Sequence, residues 1–313
     1  MAITAYTLES APRDAGQGGA AKLWYGRFTA MASACEVLVD GGTRAEADAI
    51  TRIVSNEAWR IEQHWSRYRD DSIIQRINTA CGEPVKVDAE TAQMLDFAAK
   101  IFKLSQGKFD ITSGVLRRAW VFDGSDAVPT AAAIDALMPL VGWQKVDWQR
   151  PALSMPEGMQ LDFGGIGKEY AVDNALRKVR EASALPVLIN FGGDLACDRP
   201  CSDGSPWRAG IESADGDTPV SNYIALEAGA IATSGDANRF LLKDGRRYSH
   251  VLDATTGWPV PDAPRSVTVV AADCTLAGML STLAMLRGSD AGAFLARQGV
   301  RHVVQAADVV QVA

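Results

Sequence analysis

"LDFGGIGKEYAVD", residues 161–173, sets three glycines and a lysine between an apolar run and an amphipathic one. A chain that is extended before such a turn and helical after it is the joint of a mixed α and β fold. N–H groups at the helix start point at whatever anion docks there. The named phosphate loops fail on spacing. The dinucleotide pattern G-x-G-x-x-G ends on Tyr170 rather than glycine, and the P-loop pattern would begin on Asp162 and place Glu169 where Ser or Thr must follow Lys168. Taken alone, the turn fits an anion site and an ordinary strand-to-helix turn equally well.

Upstream, "KVDW" (145–148), "ALSM" (152–155) and "MQLDF" (159–163) read as strands separated by proline-containing turns. Downstream, a helix is predicted over 168–182. Strands follow at 186–194, 207–212, 223–235, 240–253 and 265–273, with Asp244-Gly245 as a hairpin signal. Helical spacing links Ile50, Ile53, Val54, Ala58, Ile61 and Trp65, and a second helix runs from an Asp88 cap through Leu95, Ala98, Ile101 and Phe102 to a stop at Gly107. A short helix follows Thr130, two more cover 275–286 and 289–298, and a hairpin closes the chain. Strand runs interrupted by helices without strict alternation predict an α+β fold with helices packed on mixed or antiparallel sheets. The Gly/Ala-rich start is expected to be mobile to about Ala20, and residues 21–313 to form one domain.

The 313 residues are 47% hydrophobic and 22% charged, the composition of a folded globular chain rather than a disordered one. A net charge of -7 opposes nucleic-acid binding, which wants clustered Lys and Arg. No stretch approaches the ~20 apolar residues that span a bilayer, so membrane insertion is not expected. The first residues carry no apolar signal core and no lipid-accepting cysteine, and a cytoplasmic location is the expectation. Cys35, Cys81, Cys197, Cys201 and Cys274 are odd in number and scattered, as reduced thiols are; "CDRPC" (197–201) lacks the second pair or histidine of a zinc site.

Four further stretches look like site loops: "GKFDIT" (107–112), "NFGGD" (190–194), "ATSGD" (232–236) and "SHVLDATTG" (249–257). Each combines glycine, which lets backbone approach a ligand, with a carboxylate or hydroxyl. Five such loops point to an extended polar ligand, with Gly193, Asp194, Ser234 and Gly235 among its candidate contacts.

In order and spacing, these loops together with "MASACE" (31–36), "SRYRDDSIIQRIN" (66–78), "GKFDITSGVLRRAWVF" (107–122), "YSHVLDATTGWPV" (248–260) and "DCTLAGMLST" (273–282) resemble the ApbE family of FAD:protein FMN transferases. The resemblance implies a two-lobed α+β fold with a ligand cleft between lobes. It implies a Mg²⁺-dependent reaction in which FAD is split at its pyrophosphate, FMN is joined to a Thr or Ser hydroxyl of a target flavoprotein, and AMP leaves. It implies FAD contacts at Asp162, Gly164, Gly165, Lys168, Thr112, Asp110 and Phe109, with Met31 and Tyr68 near the flavin. His250 is the candidate base, because imidazole titrates near neutrality, and Asp253 is expected to orient it. His64 and His302 are expected to be structural.

The resemblance also implies a magnesium site at a main-chain carbonyl of the turn (Gly165), a hydroxyl at Thr282, and an aspartate four residues before it. Here that last position is Gly278. A hard cation wants charged oxygen, so the ion should be held weakly unless another carboxylate, such as Asp273 or Asp253, moves in. Glu169 stands where the family usually has glycine. Two alternatives remain open: a non-catalytic FAD-binding protein, and hydrolysis of FAD to FMN and AMP with water as the acceptor.

Overall fold

In the computed structural model, which describes residues 5–12, 22–212, 222–236, 239–306 and 310–312, the chain divides into two compact units. One comprises Met1–Glu62, Ile166–Thr233 and Thr268–Gly278; the other comprises Gln63–Gly165, Ser234–Val267 and Met279–Ala313. Among the described residues there are seven α-helices: α1 (Arg44–Trp65), α2 (Ile73–Asn78), α3 (Ala89–Leu104), α4 (Ala131–Leu137), α5 (Gly167–Ala182), α6 (Cys274–Met285) and α7 (Ala291–Gln298). The α+β class expected from the sequence is the class observed. None of these helices is long and apolar enough to cross a membrane.

The first unit is built on a sheet whose strands lie in the order Thr7–Pro12, Lys22–Ala30, Ser33–Asp40, Val187–Phe191, Asp194–Cys197, Gly229–Gly235 and Ser266–Ala271. Pairing is antiparallel through the first six of them. Trp24, Phe28 and Ala30 are buried while Arg27 and Thr29 are exposed, the alternation of a strand with one face on a core. α1 lies so close to that face that a Cβ on Gly26 would come within 2.3 Å of Thr51 Cγ2, so only glycine fits. α5 buries Ala171, Val172, Ala175, Leu176 and Val179, a stripe at helical spacing, against Val187–Phe191 and Asp194–Cys197. Cys197 and Cys201 lie in an apolar cluster with Trp207, Ile224 and Leu226. The five cysteines form no disulfide.

The second unit holds α2, α3 and α4, each opened by the side-chain cap its sequence offers: Ser72, Asp88 and Thr130. Its aromatic core centres on Trp120, stacked on Phe122 and edge-on to Trp258, with rings 5.3 Å apart in both pairs. Trp120 Nε1 donates to the Gly257 carbonyl at 2.9 Å, tying the 249–257 loop to that core. The hairpin Phe240–Lys243/Arg246–Ser249 turns at Asp244-Gly245, as its sequence predicts.

Two readings change. "MQLDF" is not a strand; only Gln160 forms a bridge, to Ser113. Met159, Leu161 and Phe163 are buried at a period of two, which is why the sequence imitates a strand. The Asn78 side chain takes the place of a partner strand, accepting from Leu161 N at 2.7 Å and donating to Leu161 O at 3.0 Å. Within the span expected to be mobile, Thr7–Pro12 is an edge strand, and residues 1–4 and 13–21 lie outside the described residues.

Candidate functional site

In the second unit the glycine-rich turn is organised by Asp162. Its Oδ1 accepts from Gly164 N at 2.8 Å, and its Oδ2 lies 3.3 Å from Arg67 Nη1 and 3.6 Å from Arg117 Nε. Arg67 also donates to the Gly114 carbonyl and to Gln160 Oε1, at 2.7 and 2.6 Å. Two guanidinium groups on one carboxylate leave a net positive charge beside backbone N–H groups, which is the chemistry of an anion site. Phe109 lies against the turn, with its ring 3.2 Å from where a Cβ on Gly165 would stand.

Asp110 and Thr112, expected beside FAD, are bonded inward. Asp110 Oδ1 accepts from Thr112 N (2.8 Å) and Oγ1 (2.7 Å), while Oδ2 accepts from Trp143 N (2.7 Å). Gly142 N donates to Thr112 Oγ1 at 2.7 Å. Both residues are buried, and burial raises the Asp110 carboxyl against the pull of these donors. They shape the loop that presents Phe109. Thr112→Val keeps the shape but leaves Gly142 N and Asp110 Oδ1 short of a partner, with an expected loss of about 1–3 kcal/mol in a urea titration.

His250 donates from Nδ1 to the Arg239 carbonyl at 3.2 Å. A carbonyl only accepts, so the neutral ring carries its proton on Nδ1 and leaves the lone pair on Nε2. Phe122 meets the ring edge-on at 6.3 Å. Burial, with the charges of Arg239 and Arg117, brings the imidazole down to about 4, so it is neutral at physiological pH. Asp253 does not orient it. The Asp253 carboxylate turns back on its own loop, accepting from Thr255 N and Oγ1 at 2.9 and 2.6 Å, and faces Lys108 Nζ at 3.4 Å. The positioning group for the histidine is the Arg239 carbonyl, which no side-chain pattern reveals.

Ser234 Oγ, also in this unit, lies 2.8 Å from Ser281 Oγ and 3.0 Å from Thr282 Oγ1. Gly235 is required beside it, because a Cβ there would meet the Arg265 carbonyl at 2.7 Å. Tyr68 is 77% exposed, an aromatic face with the Arg67 guanidinium 5.7 Å from its ring. His64 binds Asp88 Oδ2 at 2.8 Å and Thr91 Oγ1 at 3.1 Å. Together with Glu90 these groups have ligand-like spacing, yet Asp88 is already the cap of α3. His302 is buried and bonds the Val300 carbonyl at 2.8 Å. Both histidines are held by the protein's own groups.

In the first unit Lys168 opens α5 with its Nζ 2.7 Å from Asp194 Oδ2 and 3.3 Å from the Gly192 carbonyl. Burial opposes the ammonium charge, but Asp194 and Glu169 outweigh it and the Lys168 pKa is raised. Gly192 and Gly193, at φ 60° and 97°, make the turn that brings Asp194 back under Lys168. Lys168 is therefore engaged by the protein itself. Glu169 is buried beside this pair, and burial and the Asp194 charge push its carboxyl up to about 7. Its Oε2 has no hydrogen-bond partner. Gly278 faces it: a Cβ there would stand 2.5 Å from Glu169 Cγ. Asp273 does not move in for the missing aspartate, because its Oδ1 is taken by Leu276 N at 2.7 Å. Met31 and Ala32 form a two-residue hairpin turn with both residues at positive φ, 50° and 55°, a strained conformation for side chains of their kind.

Arg67, Arg117 and the Glu169–Gly278 contact are the features that sequence reasoning missed. Both arginines sit inside quoted motifs, and the signal at 169 and 278 was present as two separate departures from the family pattern.

Residues 31–306 match the profile of the ApbE family. A Vibrio cholerae protein named FAD:protein FMN transferase is 32% identical over 240 residues, covering 74% of this chain and 71% of its own length. A Haemophilus influenzae protein of the same name is 26% identical over 265 residues, covering 81% and 77%. The crystal structure of the ApbE protein from Thermotoga maritima matches with a TM-score of 0.84 at 28% identity, over 93% of this chain and 97% of that one. Flavin transferase ApbE from Vibrio cholerae matches with 0.81 at 26%, over 93% and 96%. With its motifs, its fold and most of its length in agreement, the chain belongs to the ApbE family.

Proposed function

We propose that this chain is an FAD:protein FMN transferase, moving FMN from FAD to a Thr or Ser hydroxyl of a target flavoprotein with release of AMP. The observation that carries the reading is His250, whose Nδ1 is fixed by the Arg239 carbonyl so that Nε2 is a neutral base. The acceptor oxygen attacks the FMN phosphorus, its proton passes to Nε2, and the bond from that phosphorus to the bridging oxygen breaks, so that AMP leaves with the oxygen. Arg67, Arg117 and the N–H groups near Gly164 and Gly165 hold the pyrophosphate and face the charge that develops on its oxygens. In the same unit Tyr68 offers an exposed aromatic face for the isoalloxazine, and Ser234 and Gly235 shape a loop for the ligand.

Mg²⁺ is part of the proposal. When bound, the ion would neutralise phosphate oxygens. Thr282, the Gly165 carbonyl and a carboxylate are the donors that would hold it, and oxygen donors of this kind suit a hard cation. Position 278 supplies no carboxylate, yet in the first unit a buried carboxylate oxygen without a partner is present at Glu169, a donor whose chemistry suits the ion.

The test is to follow AMP and flavin products from FAD with and without an acceptor domain bearing a flavinylated Thr. Free FMN appearing in equal amount with AMP, whether or not acceptor is present, would make the chain an FAD pyrophosphatase. FAD binding with neither product would make it a flavin carrier.

A further inference from the structure

We propose that Glu169 supplies the carboxylate that holds the divalent cation, reaching from α5 into the place an aspartate on α6 fills elsewhere in the family. This inference rests on the Mg²⁺-dependent reading above. Two departures from the pattern that the resemblance implies are reciprocal: Glu169 stands where a glycine is implied, and Gly278 where an aspartate is implied. The structure brings the two positions into contact. A Cβ on residue 278 would stand 2.5 Å from Glu169 Cγ, 2.9 Å from Oε1 and 3.0 Å from Cδ. A side chain at 278 and the Glu169 carboxylate claim the same volume, so the chain has room for one carboxylate there.

Glu169 also lacks what a buried carboxylate needs from the protein. Its Oε2 is buried and unpartnered, and a buried charge without a counter-charge is heavily disfavoured. Lys168 makes its ion pair with Asp194 instead, its Nζ lying 2.7 Å from Asp194 Oδ2 and near the Gly192 carbonyl, and acts on Glu169 through its charge alone. Two buried carboxylates, Glu169 and Asp194, share the single ammonium of Lys168. A divalent cation meets both deficits by giving Oε2 a ligand bond and the pocket its missing positive charge. Asp273 and Asp253 are occupied elsewhere in hydrogen bonds.

The experiment uses the full chain with FAD, Mn²⁺ as a paramagnetic probe, and electron paramagnetic resonance to count free metal. Glu169→Gln is expected to weaken Mn²⁺ binding by about tenfold or more, while the thermal midpoint without metal is no lower than in the parent chain. A purely structural glutamate would not give that combination. Gly278→Asp alone drives a second carboxylate into Glu169 and lowers the midpoint. Glu169→Gly/Gly278→Asp moves the carboxylate back to α6 and restores Mn²⁺ affinity well above that of Glu169→Gly alone. Parental Mn²⁺ affinity in Glu169→Gln overturns the proposal, and so does a double variant no tighter than Glu169→Gly. Should Glu169→Gln not fold, the comparison of the double variant with Glu169→Gly decides alone. AMP release by the parent chain is scored separately: products with a Glu169-independent metal remove the ligand assignment only, and Glu169-dependent metal without products removes the transferase reading only.

Discussion

His250→Ala is expected to lower FMN transfer by about 10²–10⁴-fold, the usual contribution of a positioned general base, while FAD affinity changes little. Transfer falls because the variant lacks the neutral imidazole that takes the acceptor's proton; FAD binding persists because the arginines and the glycine-rich turn are untouched. The pH dependence carries a second signature. Burial and the charges of Arg239 and Arg117 depress the imidazole to about 4, with the hydrogen bond to the Arg239 carbonyl and then the Asp236 charge opposing them. The base is competent when neutral, so activity falls as pH drops through about 4, not through the usual 6.5. Rates measured in His250→Ala and its parent across pH 4 to 8 check both points. An unchanged rate in the variant removes His250 as base, and an acid limb at 6.5 would mean that the ring is solvated in the working complex.

Lys168→Met is expected to cost about 3 kcal/mol of stability, the low end for breaking a buried ion pair, because the lysine side chain keeps 25% exposure while Asp194 keeps 3%. The loss has a clear physical source: Asp194 and Glu169 would share a buried pocket with no cation from the protein. Adding Asp194→Asn removes the uncompensated charge and should recover part of the loss, which a double-mutant cycle in urea measures as coupling between the two sites. A loss well under 1 kcal/mol, the size typical of a surface ion pair, together with weaker FAD binding, would mean that Lys168 works on the ligand's phosphates instead, the role its motif first suggested.

The legible parts of the fold were those with local chemical punctuation. Asp88, Thr130 and Asp244-Gly245 each announced a cap or a turn, and the structure uses each as such. The first hairpin was silent because its turn is made by Met31 and Ala32 at positive φ, where Asn-Gly would be the recognisable pair. "MQLDF" misled because burial at a period of two arises without a partner strand when an asparagine side chain satisfies the backbone. In the site, His250 was identifiable from its motif, but its positioning group is a backbone carbonyl, and Asp253 folds back into an Asx turn. The exchange between positions 169 and 278 was visible only as two unrelated departures, because the two residues are far apart in sequence and meet only when α5 and α6 are folded.

The central claim is tested most directly by incubating the chain with FAD, Mg²⁺ and an acceptor domain carrying a flavinylation threonine, then weighing the acceptor by intact mass spectrometry and counting AMP. The account predicts an FMN adduct on the threonine, AMP in equal amount, and the loss of both in His250→Ala. FAD held tightly, with an unmodified acceptor and no AMP, would contradict it.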